Sequence, residues 1–207
     1  MKIAILVFDR LTALDAVGPY EVLSRIPGVE LTFVATETGL VRTDTGRLGL
    51  TADATLEELA RPDIVVVPGG EGNRPLLDDE RVLGWLRQAH EHSTWTTSVC
   101  TGALLLGAAG ILDGKRAITH WAYREKLREY GAEPTIARVV EDGKVITAAG
   151  VSAGIDMALT LTARLTGDDV AKAIQLGIEY DPDPPFDSGS PEKAPPALVE
   201  LVRKLEG

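Results

Sequence analysis

The chain alternates between short, unbroken apolar runs and longer segments in which apolar residues recur at helical spacing. Residues 3–8 form a continuous aliphatic run, the pattern of a strand buried on both faces. Similar strands are predicted at 29–35, 64–67 and 94–99. Between them, helices are predicted at 16–24, ended by Pro27-Gly28, at 79–92, where Val82, Trp85, Leu86 and Ala89 share one face, and at 101–109. Residues 40–53, rich in threonine and glycine, read as short antiparallel strands or loop. Further on come a short strand at 116–119 and a helix at 122–130 closed by Gly131. Segments 138–141 and 144–147 flank Asp142-Gly143, a hairpin signal. A helix at 153–165 is apolar almost all round, and another covers 168–175. Residues 181–191, DPDPPFDSGSP, fit no regular element and are expected to wrap over the surface before a last helix at 197–204.

Alternating buried strands and helices define an α/β fold, a mostly parallel sheet with helices on both faces. No internal repeat or linker divides the chain, so one domain over 1–207 is expected, with 181–207 an irregular tail and final helix. In such sheets ligands bind at the carboxyl ends of the strands. That places the chemistry in the loops after Phe8, Val67, Val99 and Thr119.

Composition narrows the classes. With 207 residues the chain is long enough for a sizeable core, and its single cysteine excludes an intramolecular disulfide framework. Histidines at 90, 92 and 120 are a poor metal-ligand set, so no metal is expected. A net charge of −10 argues against nucleic acid or an anionic membrane as partner. Residues 93–112 carry no charge but hold six Ser or Thr and three Gly, which reads as strand then helix and not as a membrane span. The apolar run before Asp9 is too short for a signal-peptide core, so a cytoplasmic protein is expected.

Cys100 lies where a strand turns directly into a helix, in Ser98-Val99-Cys100-Thr101-Gly102-Ala103. That is the arrangement of a nucleophile elbow, and a thiol at a helix N-terminus is favoured as thiolate. The alternative is a buried structural cysteine. Gly69 and Gly70, ending the neighbouring strand, are candidates to form an oxyanion hole with the Thr101 N–H, or an ordinary strand-to-helix turn. Asp15 reads either as a helix N-cap or as a carboxyl that exchanges a proton with the thiol, with Glu21 a weaker candidate. His120 either lines the pocket, pairs with a carboxylate, or is a satisfied structural histidine. His90 and His92 carry no signal, and Asp156 reads as a helix-dipole partner.

Together these residues resemble the ThiJ/PfpI superfamily, and within it the members that hydrate isonitriles. The matching segments are Leu14-Asp15 with Gly18-Pro19, SVCTGALLLGAAG (98–110), GKRAITHWAY (114–123), GIDMALTL (154–161) and PPFDSGSPEKAP (184–195). The resemblance implies a flavodoxin-like three-layer sandwich, a single ThiJ/PfpI-like (class I glutamine amidotransferase-like) domain with a cysteine nucleophile elbow. It implies Cys100 as nucleophile, Asp15 as its acidic partner and Thr101 as a residue needed for activity. It also implies a homodimer that uses no cofactor and no metal. The implied reaction adds water to a small neutral isonitrile through a Cys100 thioimidate, in a pocket without a cationic clamp. Other readings within the superfamily are a glyoxalase-like hydrolase or lyase, a cysteine redox or stress sensor, and a regulator domain. A protease is disfavoured because Thr101 stands where a histidine base is expected.

Overall fold

A computed structural model describes residues 1–206, with side chains through Leu205. β1 (Lys2–Leu6) leads into α1 (Ala13–Leu23), β2 (Glu30–Ala35), the hairpin of β3 (Gly39–Arg42) and β4 (Gly49–Ala52), and the short β5 (Ala54–Thr55). β6 (Ile64–Val67) is followed by a 3-10 helix over Glu71–Asp78, then α2 (Glu80–His92), β7 (Trp95–Val99) and α3 (Gly102–Ala108). Next come β8 (Arg116–Ala117), a second 3-10 helix over Trp121–Tyr130, β9 (Glu133–Pro134), and the hairpin of β10 (Val139–Asp142) and β11 (Val145–Ala148). α4 (Ala153–Thr166) and α5 (Asp168–Gly177) follow, and after an irregular stretch α6 (Pro196–Glu206).

Seven strands form one sheet in the order β10-β11-β7-β6-β1-β2-β5. β10 runs antiparallel to β11, and the other pairings are parallel. The apolar runs explain why β1 and β6 are central: Ile64 to Val67 and Ile3 to Ile5 are 0% exposed. Each such side chain, buried on a face covered by helix, contributes about 1.5–3 kcal/mol. α1 and α5 pack against α4, while α3 packs against α2 and both 3-10 helices, giving helical layers on either side of the sheet. The fold is a flavodoxin-like α/β sandwich. No helix among the described residues is long and apolar enough to cross a membrane. The uncharged run 93–112 divides into β7, the turn at Cys100 and α3.

Four boundaries differ from the pattern, each for a physical reason. The predicted strand at 116–119 is not part of the main sheet: β8 has two residues and pairs with β9. Its continuation uses side-chain bonds instead of a ladder, with Ile118 N–H donating to Thr147 Oγ1 at 2.9 Å and Thr119 Oγ1 to the Cys100 carbonyl at 2.8 Å. Residues 121–130 form a 3-10 helix, closed as predicted by Gly131 at φ 72°. Asp142 pairs with Val145, so the two-residue hairpin loop is Gly143-Lys144, one position later than expected. α1 starts at Ala13 with Thr12 as N-cap, so Asp15 is not the cap and Pro19 lies in the helix interior.

Candidate active site

Cys100 sits at the carboxyl end of β7 with φ 56°, a left-handed conformation that costs a non-glycine residue about 1–3 kcal/mol. Bonds on both sides of the residue hold it there. Its N–H donates to the Ala149 carbonyl at 2.9 Å, and its carbonyl accepts from Thr119 Oγ1. The turn into α3 needs glycine at 102, because a Cβ there would come within 2.0 Å of the Val67 carbonyl oxygen. The thiol is therefore held at the floor of a cleft, 6% exposed, by a strained turn.

Asp15, in the first turn of α1, is 0% exposed and faces this turn. Its Oδ2 accepts from the Gly69 N–H at 2.9 Å, and its carboxyl is hydrogen-bonded to the Cys100 side chain. Burial pushes its pKa up to about 7; the bonds from Gly69 and Cys100 pull the other way, and the nearby Asp44 charge adds to the rise. Near neutral pH the carboxyl and the thiol thus form a buried pair able to exchange a proton.

Thr101 completes the group. Its Oγ1 accepts from the Gly70 N–H at 3.0 Å, which leaves the hydroxyl proton to be donated elsewhere. Its carbonyl accepts from Asn73 Nδ2 at 2.9 Å. The Gly69 and Gly70 N–H groups, expected to point at a ligand, are bonded to the Asp15 and Thr101 side chains and position them. Glycine is required at 69 by crowding, since a Cβ would lie 2.5 Å from both Thr101 N and Oγ1.

A cavity of about 380 Å³ opens above Cys100. His120 lines it, with ring centroids 5.5 Å from Trp121 and 6.1 Å from Tyr123. His120 and Val151 also border a second cavity of about 400 Å³, partly walled by tail residues Gly189 to Glu192. The irregular tail thus has a structural task, and an ion pair between Arg124 and Glu192 at 3.8 Å ties it to the second 3-10 helix. Where no cationic clamp was expected, the first cavity carries Arg10, Arg74 and Lys126 beside Asp44 and Glu71.

The remaining candidates lie elsewhere. Glu21 is paired with Arg25 on the surface. His90 Nδ1 is bonded to Thr96 Oγ1 at 2.8 Å and His92 Nδ1 to the Gln88 carbonyl at 2.8 Å, both structural. Asp156, in the first turn of α4, accepts from Arg138 Nε and the Tyr180 hydroxyl. Among the described residues no three His, Cys, Asp or Glu converge as a metal-ligand set. Sequence reasoning missed Asn73, Thr119 and the cationic wall.

Comparison with known proteins agrees with this architecture. The DJ-1/PfpI family matches residues 1–164, and the chain belongs to that family. It is 47% identical over 204 residues to an isonitrile hydratase of Pseudomonas putida, covering 99% of this chain and 89% of that protein. It also superposes on a ThiJ/PfpI family protein from Pseudomonas syringae with a TM-score of 0.95 and 38% identity, covering 99% of this chain and 85% of that one. A transcriptional regulator of the helix-turn-helix type from Pseudomonas aeruginosa is 32% identical over 129 residues, which cover 60% of this chain and 37% of the regulator.

Proposed function

We propose that this protein is an isonitrile hydratase, converting R–N≡C and water to the N-substituted formamide R–NH–CHO. The observation that carries the reading is the buried hydrogen-bonded pair of Asp15 and Cys100, with the carboxyl near neutral pKa. The 47% identity to a hydratase over nearly the whole chain supports the substrate class. In the reactive form the pair holds one proton, on Asp15, and Cys100 is the thiolate. Sulfur attacks the terminal carbon, Asp15 protonates that carbon, and a thioimidate R–N=CH–S–Cys forms.

Water then adds to the same carbon. Asp15, now a carboxylate, takes a proton from the water and passes it to the substrate nitrogen. Collapse of the adduct breaks the C–S bond, expels the thiolate, and returns the hydroxyl proton to Asp15. One water is consumed and the pair is restored. Thr101, whose hydroxyl keeps its proton to donate, steadies charge developing on the substrate nitrogen. His120 serves as a wall of the substrate cavity.

This chemistry uses side chains alone and asks for no cofactor and no metal. A homodimer is part of the same reading, supported by the exposed apolar side chains Leu198, Leu201 and Leu205 on α6. So is a cytoplasmic location, where reducing conditions protect a lone nucleophilic thiol.

The test is steady-state turnover. Purified protein is expected to convert cyclohexyl isonitrile to N-cyclohexylformamide, and Cys100→Ala to abolish turnover. Full activity in Cys100→Ala would remove the nucleophile from the account. Turnover of methylglyoxal with none of the isonitrile would replace this reading with a glyoxalase-like one.

A further inference from the structure

We infer that the cavity above Cys100 selects isonitriles whose R group carries a carboxylate, with Lys126 as the specificity-determining cation. The inference rests on the hydratase reading and narrows its substrate class.

The two 3-10 helices flank the cavity and each contributes a cation to its wall, Arg74 from Glu71–Asp78 and Lys126 from Trp121–Tyr130. Arg10, from the loop after β1, is a third. Among the described residues the wall holds more cations than carboxylates, against the overall balance of a chain of net charge −10. The two wall carboxylates are moreover engaged with other groups. Glu71 forms an ion pair with Arg10. Asp44 accepts from the Thr45 N–H at 2.7 Å through Oδ1 and from the Thr12 hydroxyl at 3.1 Å through Oδ2.

Lys126 belongs to no ion pair among the described residues. Its Nζ lies 5.6 Å from the centroid of the Tyr123 ring. Residues three apart on a 3-10 helix eclipse one another, so Tyr123 and Lys126 share the helix face that borders the cavity. The ring attracts the ammonium without neutralising it, and so keeps a full positive charge beside the cavity.

Burial gives the direction in which a substrate would enter. Cys100 is buried and Lys126 exposed, so the thiol marks the floor and the ammonium the mouth. An isonitrile carbon bound at the thiol directs its substituent outward, toward Lys126 and Arg74. A carboxylate there gains charge–charge attraction and hydrogen bonds to an anionic oxygen, whereas an ester of the same shape gains no charge–charge attraction and accepts weaker bonds through its carbonyl alone.

The experiment compares a linear ω-isocyanoalkanoate with its methyl ester, alongside cyclohexyl isonitrile, in the wild type, Lys126→Met and Lys126→Glu. The wild type is expected to favour the acid by about fivefold in kcat/KM, the scale of a partly solvated ion pair. The preference should vanish in Lys126→Met and reverse in Lys126→Glu. Added salt should raise KM for the acid and leave that for the ester in place. Equal turnover of acid and ester, with a ratio indifferent to charge at 126, overturns the inference and leaves the hydratase reading intact. No formamide from any of the three isonitriles overturns the hydratase reading, and the inference with it.

Discussion

Asp15 has no solvent with which to share its charge, and this bears on stability and, in the proposed mechanism, on activity. Its pKa is raised from 3.8 to about 7 in the folded protein, so between those values the native state binds a proton that the unfolded chain releases. Stability from this group is therefore greatest below about pH 4, declines as pH rises toward 7, and stays at its low value above. Asp15→Asn keeps an oxygen for the Gly69 N–H and removes the charge. We expect this variant to be more stable than the wild type at pH 8 by on the order of 2–4 kcal/mol, with the gap closing toward pH 4. Denaturant unfolding at the two pH values measures it. The same substitution should lower kcat by about 100-fold or more, since a general acid is typically worth that much. In the wild type, kcat/KM should rise as pH passes about 7, where Asp15 gives up a proton and the carboxyl and thiol are left with the single one that they share. A variant that is less stable at pH 8, or fully active, would contradict the buried-acid account. The alternating pattern directs attention to Cys100 at a strand end, whereas Asp15 stayed open between cap and acid and the roles of Asp15 and Thr101 came with the resemblance to the family. Asn73 and Thr119 were not legible: each acts by bonding a backbone carbonyl of the elbow, and such contacts leave no periodic trace.

At the scale of elements, the core strands and helices followed from apolar runs, and β6 has the bounds that its four aliphatic residues predict. The elements that misled are those whose bonds run to side chains of other elements. The segment after β8 looks like sheet in sequence, yet it is anchored by Thr147 and by the Cys100 carbonyl. The 3-10 helix over Glu71–Asp78 has a Gly-Pro-interrupted sequence that offers no helical period, yet it docks on the elbow through Asn73, which is 3% exposed. Asn73→Ala leaves the Thr101 carbonyl without that donor in a buried place, a loss of about 1–2 kcal/mol. For a chain of this size the melting temperature should drop by about 2–8 °C. With the elbow less firmly held, kcat should fall by about tenfold. Thermal melts and steady-state kinetics on the same sample measure both. An unchanged melting temperature with unchanged kcat would show that the elbow is held without this helix.

For the molecule as a whole, alternation of strands and helices by itself directs the candidate site to the carboxyl edge of the sheet. The strand order itself, and the charged wall of the cavity, depend on which loops meet above that edge, and separate stretches of sequence do not reveal such meetings. The single cysteine lies where the β1, β6 and β7 ends converge, and the claim that joins fold to function is that isonitrile carbon bonds to its sulfur. Intact-mass spectrometry on wild-type protein, quenched early in turnover of cyclohexyl isonitrile, tests that claim most directly. The account predicts a gain equal to the mass of one isonitrile, located on Cys100 and disappearing as the formamide accumulates. Formamide released at full rate by protein with no thiol adduct, or by Cys100→Ala, would contradict it.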